Sequence, residues 1–357
     1  MNIAILSAAN SIHTEKIVNS LIEFGHNVFL FSLPNHEDKD GNYNPKAVIK
    51  YFKTSGTKGY FFNVSELKAW IQKYKIDVLN AHYATGYGSL GGLCGFHPYV
   101  LSVWGADVYD FPYISPFHKL LLKHNLKKAD ILMSTSNCMA KQTEKFIKNK
   151  QIVVTPFGVN IDEFSVCNKA PSDTVNIGFI KGVSEKYGIE YLVRAFKIVK
   201  DTCNDKKVKL LVYGDGNQLE EMINLSKELG ISDDTKFFGH ITHDKVADAL
   251  KQIDIFCVPS TLDSESFGVS AIEAMSCGIP CITSDVEGLS EVMINNKTGF
   301  IIKRKNSEEL ANNIIKLINN PELRKKLGEG GRERVVKMYN WKDNVKIIES
   351  TLRKSAE

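Results

Sequence analysis

Short apolar, β-branched runs alternate with amphipathic stretches along the whole chain. Asn2–Leu6, Asn27–Phe31, Val78–Ala81, Tyr99–Val103, Ile131–Thr135 and Ile152–Pro156 read as strands, with helical patterns such as Glu15–Phe24 and Val64–Lys75 between them. Near-continuous apolar strands separated by helices specify a parallel sheet covered on both faces. The rhythm then restarts. Val175–Ile180, Lys209–Tyr213, Thr235–Phe238, Ile255–Val258, Pro280–Thr283 and Gly299–Ile302 read as strands, and Tyr191–Asp201, Gln218–Leu229, Asp244–Lys251 and Val269–Met275 as helices. A turn-rich stretch without a period, residues 158–173, separates the halves. The expected class is α/β: two doubly wound, Rossmann-like domains facing a cleft, 1–165 and 166–339. The last helix, Val345–Lys354 within 340–357, either finishes the second domain or packs back on the first.

Composition narrows this picture only a little. With 357 residues, 43% hydrophobic and 24% charged, the chain is an ordinary globular one, which argues against disorder, collagen and coiled coil. A net charge of +4 is too small to argue for nucleic acid. No run of 18 apolar residues predicts a membrane-spanning helix. The first residues lack a basic leader and read as a buried strand, not a signal peptide. Seven scattered cysteines include a C-x(3)-C at Cys277 and Cys281 that fits neither a zinc pair nor a redox pair. Reduced thiols in a cytoplasmic protein are the expectation.

Missing motifs exclude more. The first strand runs into Ala8-Ala9-Asn10-Ser11-Ile12-His13 without a glycine, where a nicotinamide site wants G-x-G-x-x-G. There is no G-x(4)-G-K-[ST] and no G-x-S-x-G. The D-x-D at Asp38-Lys39-Asp40 has the residue type for a metal-bound sugar nucleotide. Read as a calcium loop, however, it carries Ile49 where a bidentate Glu belongs, so a surface turn is expected. The nine histidines have no ligand spacing, and no metal is expected.

Chemistry concentrates in the second half. Glu265-Ser266-Phe267-Gly268-Val269-Ser270-Ala271-Ile272-Glu273 follows a strand that ends at Pro259. A glycine at a helix start lets an anion approach backbone amides, and two carboxylates can grip several hydroxyls. Taken alone, they could equally be a capping and a solvated glutamate. Lys181-Gly182-Val183-Ser184-Glu185-Lys186 places two lysines five apart on a glycine-bearing loop, a possible diphosphate clamp or two solvated lysines. Two further strand-end loops carry Gly214 in Tyr213-Gly214-Asp215-Gly216, and His240 and Ile241 after Phe237-Phe238-Gly239.

In this order the motifs resemble a family 4 retaining glycosyltransferase of the GT-B fold, of the bacterial group 1 type, over essentially the full length. Glu265 to Glu273 matches that family's E-x(7)-E donor element, continued by Ala274–Pro280, Ser284–Gly288 and Thr298-Gly299-Phe300. Pro156-Phe157-Gly158-Val159-Asn160 resembles its interdomain signature. The resemblance implies that Glu265 binds donor-sugar hydroxyls and Glu273 the ribose. The amides of Phe267, Gly268 and Val269 would meet phosphates or sugar, and Gly214, His240 and Ile241 would lie on the nucleotide side, with Ile241 near the base. Lys186 matches the diphosphate lysine, and Lys181 stands where an arginine is usual, keeping the charge but losing the bidentate fork. In the first half, Val103-Trp104-Gly105-Ala106-Asp107 resembles an H-G-x-D loop with Trp104 in place of the histidine. Asp107 would orient the acceptor hydroxyl as a catalytic residue, while His13, His82, Tyr83 and Trp104 would line the acceptor side.

The implied activity is metal-independent, retaining transfer of a sugar from a UDP- or GDP-linked donor to an acceptor hydroxyl, on a glycan or lipid-linked glycan, without a cofactor. A sugar-nucleotide epimerase of the same fold and a non-catalytic sugar-binding module are the competing expectations. Finally, residues 111–128 place Lys119, Lys123 and Lys127 four apart beside Phe117, Leu120, Leu121 and Leu122. Such a basic amphipathic helix fits either the inner face of an anionic membrane or an ordinary domain helix.

Overall fold

In the computed structural model, which describes residues 1–39, 41–166 and 172–357, seven parallel strands form the first sheet. They are β1 (Asn2–Leu6), β2 (Asn27–Ser32), β3 (Val48–Tyr51), β4 (Val78–His82), β5 (Tyr99–Val103), β6 (Ile131–Ser134) and β7 (Ile152–Val154). Their order is β3-β2-β1-β4-β5-β6-β7. Ile3 is in register with Val28 on one side and Val78 on the other. Strands β1, β4 and β5 are buried nearly end to end, as residues covered by helices on both faces must be. The edge strand β3 was not expected. Its four residues are half-buried or exposed and include Lys50, so no apolar run announces it.

The second sheet holds β8 (Thr174–Ile180), β9 (Lys207–Tyr213), β10 (Thr235–Phe237), β11 (Ile255–Val258), β12 (Cys281–Ser284) and β13 (Gly299–Ile302), in the order β10-β9-β8-β11-β12-β13. Every pair is parallel. Strand order reverses between β1 and β4 in one sheet and between β8 and β11 in the other. In sheets of this kind ligands sit beyond the carboxyl ends of strands at such reversals.

The chain divides into two units, Met1–Pro156 with Asp343–Glu357, and Phe157–Lys342. The first ends at residue 156 and not at 165. Past Pro156 the chain already belongs to the second unit: Val159 bridges to Asn340, and the Phe164 carbonyl accepts from the Arg332 guanidinium at 2.8 Å. The final helix, Trp341–Ala356, returns to the first unit, where the Glu349 carboxylate meets His26 Nε2 at 3.0 Å. Residues 167–171 of the expected interdomain stretch, and Asp40 of the D-x-D, lie outside the described residues. Asp38 accepts from the Gly41 amide at 3.0 Å, as a turn residue does. Among the described residues no three His, Cys, Asp or Glu side chains are placed to hold a metal ion, and no helix is long and apolar enough to cross a membrane. Cys277 and Cys281 are buried, and neither is in a disulfide.

Candidate functional site

Four loops at the carboxyl ends of β8, β9, β10 and β11 are stitched together in the second unit. The Lys181 amide donates to the Tyr213 carbonyl, Val183 to Asp215, and Gly214 to Gly239. Gly214 sits at φ +141°, and a Cβ there would overlap the Lys181 carbonyl. The Thr261 amide donates to the Lys186 carbonyl at 2.8 Å, tying the β8 loop to the segment that carries Glu265.

Within this rim, Lys181 Nζ and Glu265 Oε2 are 2.6 Å apart, with 13% and 8% of their side chains exposed. The ammonium also lies 4.6 Å from the centre of the Tyr187 ring. Eighty-four residues of sequence separate a pair that forms one charge-neutral unit. Lys186 Nζ donates to the Ser264 carbonyl at 3.1 Å, so both lysines converge on the Glu265 segment. From the far side, Arg304 holds Asp263 through two guanidinium nitrogens at 3.0 and 3.2 Å and also reaches Asp285. No sequence signal marked Arg304 as part of the site.

Gly268, at φ +89°, caps the helix Val269–Ser276, and a Cβ on it would lie 2.5 Å from Leu289 Cδ2. Opening turns of helices leave amides without intrahelical partners, which makes this end receptive to an anion. Phe267 itself is buried edge-on between the rings of Phe157 and Tyr339, so its side chain serves packing. In the same unit the hydroxyls of Ser260, Ser264, Ser270 and Thr283 are buried without a partner. A buried hydroxyl left unbonded is costly.

Glu273 is 5% exposed and bonds His243 Nε2 at 3.0 Å. A carboxylate only accepts, so Nε2 carries the proton. His240, expected on the nucleotide side with Ile241, is exposed, and Ile241 is half-buried, on the loop just before. The side chain that reaches the carboxylate is three residues further on, in the first turn of the helix His243–Leu250. Removing it strips Glu273 of a hydrogen bond to a charged group, worth about 2 kcal/mol. His243→Ala is therefore expected to lower stability by about 2 kcal/mol, measured by urea unfolding.

The first unit gathers His13, His82, Tyr83 and Trp104. Trp104 lies against His82, ring centres 4.3 Å apart, and meets His13 and Tyr83 edge-on. Tyr83 is 40% exposed, at φ +68°. His82, expected on the acceptor side, is 1% exposed with both ring nitrogens engaged. Asn80 Oδ1 is 3.1 Å from Nε2, which must carry the proton, so Nδ1 accepts from the Ser7 hydroxyl at 3.0 Å. Burial, with a smaller contribution from His13, lowers its pKa to about 3. The unfolded chain takes up this proton near 6.5. Stability is thus fully present above that pH and falls as pH drops from 6.5 toward 3, by at most about 1.4 kcal/mol per unit. Urea unfolding of wild type and His82→Gln across this window should show a stability that falls more steeply with acid in wild type than in the variant.

Asp107 is buried, and its oxygens accept from the amides of Ala84 and Gly105, each at 2.8 Å, and of Trp104 at 3.2 and 3.3 Å. Burial raises its pKa while these amides oppose the rise. These three amides make Asp107 the brace of the loop that presents Trp104.

Residues 160–334 match the model for glycosyl transferases group 1, and residues 2–136 match that for glycosyl transferase 4-like proteins. An uncharacterized glycosyltransferase of Methanocaldococcus jannaschii is 28% identical over 347 residues, covering 93% of this chain and 90% of that protein. Sucrose-phosphate synthase from Thermosynechococcus elongatus has a similar structure, with TM-score 0.87, 22% identity, and 99% and 98% of the two chains covered. Anabaena HepE, solved in complex with UDP, superposes with TM-score 0.82 at 17% identity over 99% of this chain and 100% of its own. The fold is GT-B.

Proposed function

We propose that this chain, which belongs to the group 1 glycosyltransferases, moves a sugar from a UDP-linked donor to the hydroxyl of a glycan or lipid-linked acceptor with retained configuration and without a metal ion. The observation that carries the reading is the Lys181–Glu265 pair, with Lys186 bonded to the neighbouring Ser264 carbonyl and a helix whose glycine cap lies three residues beyond Glu265. A site of that composition offers a carboxylate to a sugar, and cationic and amide groups to a diphosphate. UDP bound to HepE, a protein of the same fold, supports the choice of base.

In this reading Glu265, neutralised by Lys181, takes donor-sugar hydroxyls, and Glu273, fixed by His243, takes the ribose. Lys186 and the first turn of Val269–Ser276 stabilise the diphosphate as the C1–O bond to it breaks. The acceptor oxygen bonds to C1 on the same face, and its proton passes to the departing phosphate oxygen. Membrane contact through residues 111–128 belongs to the same reading. Tyr113, Ile114, Phe117 and Leu120 are each more than 60% exposed, beside exposed Lys119, Lys123 and Lys127.

A panel of nucleotide sugars, scored by thermal shift and then by transfer in EDTA, tests the reading. A UDP-sugar should raise the melting temperature, and its transfer should survive the chelator. Donor conversion without acceptor would instead mark an epimerase, and binding without turnover a sugar-binding module.

A further inference from the structure

A cavity of about 400 Å³ opens in the first unit beyond the carboxyl ends of β1 and β4. Tyr60, Phe61, Tyr83, Trp104, Phe111 and Leu121 supply most of its wall, and among the described residues no Lys, Arg, Asp or Glu lines it. The polar side chains that do reach it are largely committed elsewhere. The Ser7 hydroxyl is tied to Thr14 and His82, and the Ser89 hydroxyl to the Thr85 carbonyl and Asn125. The Tyr87 hydroxyl accepts from the Leu33 amide and lies 2.8 Å from His36 Nδ1. Burial lowers the His36 pKa, so this ring is neutral near pH 7. A phosphate, carboxylate or heavily hydroxylated group would lose its water here and gain few bonds.

The elements that line the cavity also carry apolar surface outward. The helix Pro116–Lys128 turns Leu121 into it and leaves Phe117 and Leu120 exposed at 69% and 67%. The helix Gly56–Phe62 places Phe61 in the wall and leaves Phe62 70% exposed. An apolar track thus leads from the surface to an uncharged pocket of a size that takes a small-molecule ligand.

We infer that this pocket seats a hydrocarbon chain of an amphiphilic acceptor, acyl or isoprenoid, and that the acceptor's charged groups stay outside it. The inference names the acceptor class within the proposed function and rests on that reading.

Titration calorimetry of the full chain with methyl, octyl and geranyl β-glucosides, below micelle-forming concentrations, tests it. Octyl or geranyl glucoside should bind at least about tenfold more tightly than methyl glucoside, because each buried methylene adds affinity. The tighter of the two identifies the straight-chain or the isoprenoid source. Leu121→Glu should weaken that binding about tenfold. So should Thr57→Trp, which fills the pocket from an exposed position without burying a charge. Phe117→Glu, on the outer track, should change it little. Octyl and geranyl glucosides both binding no more tightly than methyl glucoside overturns the inference, as does binding lost in Phe117→Glu but kept in the two pocket variants. UDP-glucose titrated into the same preparation tests the functional reading alone. If it fails to bind while octyl glucoside binds, that reading falls and the pocket assignment stands.

Discussion

Glu265→Ala is expected to lower kcat/KM by about a thousandfold and stability by roughly 3 kcal/mol. The first effect is the loss of a preorganised group at the reacting sugar. The second follows from geometry: the Lys181 ammonium, 13% exposed and 2.6 Å from the carboxylate, keeps its charge but loses its partner. Lys181→Ala should destabilise by a similar amount, since it leaves the opposite charge buried. Combining Glu265→Leu with Lys181→Met removes both charges and should restore much of the urea midpoint, yet leave the protein inactive. That double variant separates folding from chemistry. Wild-type transfer by Glu265→Ala would remove the carboxylate from the donor site.

The second large effect is a single methyl group. Gly214→Ala should cost at least about 3 kcal/mol and abolish donor binding, because the new Cβ would overlap the Lys181 carbonyl at a φ of +141°. Relief requires the β8 and β9 loops to part, and with them the hydrogen bonds that align Lys181 with Glu265. Gly230→Ala is the matched control. It has φ +67° and open space around the added carbon, so it should cost only about 1 kcal/mol and leave donor affinity intact. Thermal melts and donor titrations on both variants decide whether the clash or the backbone angle matters.

The parallel strands were legible because burial on both faces forces uninterrupted apolar runs, as in Tyr99–Val103 and Ile255–Val258. Where one face meets water that signal disappears, and β3 went unseen. The helix Gly86–Cys94 was hidden for the opposite reason. Its sequence, GYGSLGGLC, is poor in helix formers, but Gly88 and Gly91 let it press against the Tyr83 carbonyl and the Tyr99 ring. Tertiary contact overrides propensity there.

At the site, the E-x(7)-E spacing marked the two carboxylates, but their partners lie 84 and 30 residues away, and no local pattern reports such pairs. The amide contacts of Asp107 were not legible, because an acid in a loop looks the same in sequence whether it faces substrate or its own backbone amides.

The return of the last helix to the first unit makes that unit discontinuous along the chain, with residues 157–342 inserted between its two pieces. A ribosome delivers protein from the amino end at about 5–20 residues per second, and domains fold as their sequence emerges. The inserted unit is contiguous, so it has all its residues before the first unit does. The earlier-made sheet must wait for Asp343–Glu357, and with it the partner of His26. Order of synthesis and order of completion are therefore reversed, and the first unit is completed by a segment made after the whole of the second.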